Sequence, residues 1–146
     1  MTSVKTWLMQ IRAPFLLVTL ISVLVGVSVA VYEPHPHPIN LLYLALAFVG
    51  ALLSHIAVNV FNEYFDYKSG VDFKTMKTPF SGGSGVLPAG LLNPRSVYVL
   101  GGACVAVIVA IGGYFIYAQG PLIIPVGVVG IITVYFYTTH ITSSAL

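Results

Sequence analysis

The chain has 146 residues, of which 58% are hydrophobic and only 7% charged, and its formal net charge at pH 7 is +2. A soluble domain carries about 25% charged residues, so this chain cannot clothe a water-facing surface, and small soluble enzymes, nucleic-acid-binding modules and disordered tails are excluded. The single cysteine, Cys104, excludes an internal disulfide and a thiolate metal cluster, and the small net charge does not call for a polyanionic partner.

Taken in chain order, Lys5 and Trp7 read as an interfacial anchor, and Arg12 either shares that role or reaches a phosphate. Four apolar runs follow, at residues 14–32, 39–63, 96–117 and 121–139. Each has about 19–25 residues, enough at 1.5 Å rise per residue to cross a hydrocarbon core of about 30 Å. Backbone groups in lipid must be satisfied within their own segment, so the runs are four transmembrane helices rather than strands. The first two are joined by the proline-rich turn Glu33-Pro-His-Pro-His-Pro-Ile-Asn40, and the last two by Ala118-Gln-Gly-Pro121, with Pro121 suited to a first helical turn. Only the middle connection, residues 64–96, is long and polar. Lys5 and Arg12 also precede the first run as in a secretory signal, with Ser28-Val29-Ala30 as a nominal cleavage site. That run is longer than a usual signal core, and its removal would misorient the remaining spans, so it is read as a retained span.

All six basic residues fall at the N-terminus (Lys5, Arg12) or in the middle loop and its flanks (Lys68, Lys74, Lys77, Arg95). Four alternating helices put these segments on one side, and the positive-inside rule makes it cytoplasmic.

Three of the four acidic residues, Glu63, Asp66 and Asp72, lie within ten positions, in Asn59-Val-Phe-Asn-Glu-Tyr-Phe-Asp-Tyr-Lys-Ser-Gly-Val-Asp72. If the second helix continues past the membrane, Asn59, Asn62, Glu63 and Asp66 share a face at three- and four-residue spacing. Gly70 then breaks the helix and lets Asp72 fold back. Carboxylates and amide oxygens at a helix end suit magnesium, which prefers hard oxygen ligands and often completes its shell with a substrate phosphate; the competing reading is a solvated helix end. The following stretch adds Lys74, Lys77 and the turn Ser81-Gly-Gly-Ser-Gly85. Successive backbone N–H groups of such a turn form an anion-binding concavity, and lysine adds a point charge for phosphate. The combination reads as a metal–diphosphate site at the membrane surface, with a lipid diphosphate as ligand.

Asn62, Asp66 and Asp72 resemble the first aspartate-rich motif of the UbiA superfamily of intramembrane prenyltransferases. The longer spacing to Asp72, and the run from Pro79 to Gly90, are similar to the menaquinone-type branch, whose members attach a polyprenyl chain to 1,4-dihydroxy-2-naphthoate. Arg12-Ala-Pro14 resembles the Arg-Pro opening of these enzymes, and Tyr135-Phe-Tyr-Thr138 the end of their fourth helix. The resemblance implies an all-α integral membrane bundle, with residues 1–146 as the N-terminal half of a UbiA-like domain. It implies that Asn62, Asp66 and Asp72 act in catalysis by holding Mg2+ against a polyprenyl diphosphate, with Arg12, Asn59, Lys68, Lys74, Lys77, Ser81, Gly82, Gly83 and Ser84 on the substrate side. The aromatic acceptor attacks the allylic cation left by the departing diphosphate. Glu63 departs from the aspartate found in many relatives. Relatives are about twice as long and carry a second acidic motif, whereas nothing after Asp72 here is acidic, so the chain reads either as the N-terminal half of a longer or split enzyme, whose partner is a second half of the bundle, or as a truncated product, and it is not expected to be active alone. The alternatives are a UbiA-type transferase for a benzoate, haem or glycerol phosphate acceptor, and a non-catalytic membrane subunit. A CDP-alcohol phosphotransferase is excluded because the chain has no Asp-Gly.

Other polar and small residues have plainer readings. His55, in mid-span, is expected to hydrogen-bond a neighbouring helix. His35 and His37 sit in an extended proline-rich turn on the opposite side and are not read as metal ligands. Cys104 reads as a packing residue, and Gly102, Ala106 and Ala110 as a small-residue stripe for close helix packing. Most of the Tyr and Phe residues fit interfacial belts, with some free to line a cation's path.

Overall fold

A computed structural model describes residues 3–33, 38–73, 83–130 and 132. They form a helical bundle, and no strand occurs among the described residues. The chain starts with a short helix, α1 (Val4–Gln10), which the sequence reading did not anticipate. Ser3 caps it, its side chain accepting the Thr6 N–H. Arg12 then adopts a left-handed conformation (φ 54°, ψ 50°), and a 3-10 turn, Ala13–Leu16, leads into α2 (Leu17–Val31).

The second long helix, α3 (Leu41–Ser69), has 29 residues. At 1.5 Å per residue it is about 44 Å long, well beyond a hydrocarbon core of about 30 Å, so its last turns stand clear of the lipid. Asn40 caps its start by accepting from the N–H groups of Leu42 and Tyr43, and Gly70, left-handed at φ 80°, ends it as the sequence predicts. A 3-10 turn, Val71–Phe73, follows. The third long helix, α4 (Pro94–Gln119), is capped by Asn93, whose side chain accepts the Arg95 N–H. Pro121 opens a shorter apolar helix, α5 (Pro121–Gly130). Residues 13–31, α3 and α4 are long and apolar enough to cross a membrane. Most of the expected fourth span beyond α5, including Tyr135–Tyr137, lies outside the described residues, as do His35 and His37.

Packing is concentrated between α3 and α4, with α2 against the other side of α3. Close approach to α4 is made at Gly101: a Cβ there would sit 2.8 Å from the Phe61 ring. This corrects the expected packing stripe. Gly102, Ala106 and Ala110 are exposed on α4, and the buried face runs through Val97, Gly101 and Cys104. Spacing identifies a stripe, but the neighbour decides which stripe is covered.

The hydrophobic core sits at the polar end of the bundle, where Val86, Leu87 and Leu92 from the loop before α4 pack on Val60 and Val97. The middle connection is therefore an apolar plug as well as a polar linker. Trp7, partly buried, packs against the same cluster, a contact its position in the sequence does not reveal; Lys5 is exposed.

Candidate functional site

Helical spacing on α3 puts His55, Asn59, Glu63 and Asp66 on one side, with Asn62 beside them. Contacts show that this side faces the N-terminal segment. His55 Nδ1 lies 2.8 Å from the Thr19 hydroxyl on α2, the interhelical hydrogen bond expected of it. Asn59 Nδ2 donates to the Ile11 carbonyl at 3.0 Å, which ties α3 to the turn after α1. Asn62 and Asp66 are half-buried one and two turns below that tie.

Glu63 is the centre of the arrangement. It is only 2% exposed. Its Oε1 accepts the Ser84 N–H at 2.7 Å, and its Oε2 accepts the Ser84 hydroxyl. Gln10 Nε2 donates to Oε2 at 3.1 Å, and Arg12 Nε lies 3.5 Å from Oε1. Removing a carboxylate from water costs several kcal/mol unless donors and a counter-charge replace the solvent; here three separate segments supply them. The side-chain oxygen of fully buried Gln10 makes no hydrogen bond among the described residues. The Arg12 guanidinium also lies over the Phe15 ring, 5.4 Å from its centroid.

Asp72 is buried in its 3-10 turn, close enough to Glu63 for the two charges to repel. Gly83 makes this return possible. A Cβ on Gly83 would lie 3.0 Å from Asp72 Oδ1, and its φ of 71° is left-handed. Gly83 and Ser84 thus bridge two acids, Gly83 packed against Asp72 and Ser84 bonded to Glu63. The Val86 N–H donates to the Ser84 hydroxyl at 3.2 Å, so the described end of the glycine turn is organised around the protein's own buried anion.

Lys68 goes elsewhere. It is exposed, with Nζ 6.0 Å from the Tyr64 ring centroid on the side of α3 that faces Tyr98 of α4. Lys74, Lys77, Ser81 and Gly82 lie outside the described residues. No group of three or more His, Cys, Asp or Glu side chains is gathered for a metal among the described residues. The expected set is instead two carboxylates with one amide oxygen. Helical spacing does not single out Gln10, and it puts Glu63 on the acidic face without assigning it a role. The available signal was the rarity of polar residues: a glutamine and a glutamate in so apolar a chain each need a partner when buried.

Buried carboxylates at the polar end of a helical membrane bundle, beside a glycine turn, define an integral membrane protein with a polar site at its surface. The chain belongs to the UbiA prenyltransferase family, which matches it over residues 19–145. It is similar to the 1,4-dihydroxy-2-naphthoate octaprenyltransferase of Bacillus subtilis (strain 168), with 33% identity over 98 residues, covering 67% of this chain and 30% of that protein. The chain therefore matches less than a third of that relative's length. No solved structure matches it. Gln10 and Arg12 precede the segment matched by the family.

Proposed function

We propose that this chain forms the diphosphate-binding part of a polyprenyltransferase whose aromatic acceptor is 1,4-dihydroxy-2-naphthoate. The observation that carries the reading is the return of Asp72 to the end of α3, made possible by Gly83. The acceptor is taken from the similarity to the Bacillus subtilis protein.

Asn62, Asp66 and Asp72 offer an amide oxygen and two carboxylates, a donor set that fits Mg2+. The space left by the missing Cβ of Gly83, against Asp72 Oδ1, supports that fit. Bound there, magnesium supplies Lewis-acid neutralisation of the leaving diphosphate, worth several kcal/mol in the transition state. Arg12 lies beside the same cluster, and its Nε contact with Glu63 leaves the outer guanidinium nitrogens to face an anion. Lys74 and Lys77 add positive charge from the loop, and Ser81 and Gly82 add hydrogen-bond donors. Glu63 holds Ser84 and Arg12 in place, and the apolar helices below keep water from a reactive allylic cation. The positive-inside rule puts this site on the cytoplasmic side.

The test is binding of geranylgeranyl diphosphate to the chain in detergent, with and without Mg2+. Asp66→Asn and Asp72→Asn are each expected to weaken Mg2+-dependent binding at least tenfold, and chelation of the metal to reproduce the loss in the unmodified chain. Binding that is indifferent to the metal and to both substitutions means that the loop is a polar connector of a membrane subunit. Acceptor choice is tested separately, by joining the chain to the remainder of a UbiA-type bundle and offering naphthoate, benzoate and haem acceptors; prenylation of the naphthoate alone is the expected result.

A further inference from the structure

A second polar feature lies on the side of α3 that faces α4. A cavity of about 330 Å³ opens between the polar ends of α3 and α4, lined by Tyr64, Tyr67 and Lys68 from α3 and by Asn93, Arg95 and Tyr98 from the start of α4. That volume is at the lower end of the range for small-molecule sites, about 300–1,000 Å³. Its walls are built by ring packing: the Tyr64 and Tyr98 centroids are 5.0 Å apart, and Phe61 meets Tyr98 edge-on at 5.6 Å. Among the described residues, two cations border the cavity and no acid does. Neither Lys68 nor Arg95 is in an ion pair among the described residues, and both are exposed. The lining is mostly apolar ring and aliphatic surface, and the two cations are its charged members, a combination that suits a phosphate carried on an apolar body better than a free one.

The surroundings indicate what carries that phosphate. The cavity lies at the polar ends of α3 and α4, next to apolar stretches long enough to cross a membrane, and a helix that crosses a bilayer meets the phospholipid headgroups at such an end. Below Arg95, at helical spacing, α4 exposes Val99, Gly102 and Ala106. Gly102 and Ala106 belong to the small-residue stripe that no helix among the described residues covers, and with Val99 they form a shallow apolar track leading away from the cavity. Juxtamembrane basic residues attract anionic lipid headgroups, whereas a soluble phosphate would gain nothing from the track.

We propose that this cavity seats the headgroup of an anionic membrane phospholipid, with Lys68 and Arg95 gripping its phosphate from two helices and an acyl chain lying along Val99, Gly102 and Ala106. The residues that grip the headgroup are not those proposed to hold magnesium.

The test uses the 146-residue chain in an uncharged detergent and counts retained lipid by native mass spectrometry. One equivalent of phosphatidylglycerol should be retained in preference to phosphatidylcholine. The double variant Lys68→Gln/Arg95→Gln should lose that retention about tenfold or more. The charge-preserving exchange Lys68→Arg/Arg95→Lys should keep it, with helix content checked by circular dichroism. Lys5→Gln, which removes an exposed cation outside the cavity, should have no effect. Equal retention of phosphatidylcholine, an unaffected double variant, or an equal loss in Lys5→Gln overturns the proposal. So does displacement of the lipid by inorganic phosphate, which marks a soluble-anion site, or by geranylgeranyl diphosphate, which marks a donor site.

Discussion

Glu63 shows what one residue does when buried with partners from several segments. Its carboxylate joins Gln10 of α1, the left-handed Arg12 and Ser84 of the glycine turn. A non-glycine residue in the left-handed region carries strain of order 1–3 kcal/mol, so Arg12 keeps that conformation because its surroundings hold it. Glu63→Ala should lower stability by about 3 kcal/mol or more, because it leaves buried Gln10 and half-buried Ser84 without their acceptor and Arg12 without its counter-charge. Ser84→Ala removes the hydroxyl bond but keeps the backbone one, so its loss should be smaller, about 1.5–3 kcal/mol. Both are read from unfolding of the purified chain by titration from mild into denaturing detergent. Gly83→Ala should act mainly on ligand binding. Its Cβ meets Asp72 at 3.0 Å, so Mg2+-dependent diphosphate binding should fall more than the midpoint of unfolding does.

Among the elements, the α3–α4 pair carries most of the packing, and Gly101 sets how closely the two approach. Gly101→Val should force the Phe61 ring aside and destabilise the pair by about 1–3 kcal/mol, seen in the same unfolding titration. The hydrogen bond between His55 and Thr19 is a weaker tie. Polar contacts between helices in lipid average about 0.6 kcal/mol, so Thr19→Val should shift the midpoint much less than Gly101→Val. The loop before α4 behaves as an element in its own right. Leu87 is 2% exposed in the core at the polar end, and Leu87→Ala should lower stability by about 2–5 kcal/mol. It should also loosen the glycine turn, because Val86 and Leu87 directly follow the residues that hold Asp72 and Glu63.

At the scale of the whole molecule, an alternating arrangement of helices makes a prediction about sides. With Cys104 replaced by serine, Lys5→Cys and Ser96→Cys should react with a membrane-impermeant maleimide from the same face, and Glu33→Cys from the opposite one. Labelling of all three from one face would break the alternation on which the cytoplasmic placement of the site depends. The long exposed apolar surfaces of α2 and α4 fit a chain surrounded by lipid and by other helices.

The sequence by itself determined the class of fold, because 7% charged residues leave lipid as the only solvent for runs of this length. It also determined the stop at Gly70 and the shared face of Asn59, Glu63 and Asp66, since helical period and glycine conformation are local properties. Local properties do not say which face of a helix meets which neighbour. The covering of Gly101 rather than Gly102, the packing of Trp7 against the core, the turning of Lys68 toward the α4 side and the bonding of Glu63 to Ser84 each depend on residues distant in the chain. Only the tertiary structure decided them, because burial and the satisfaction of a buried charge are settled by what packs alongside.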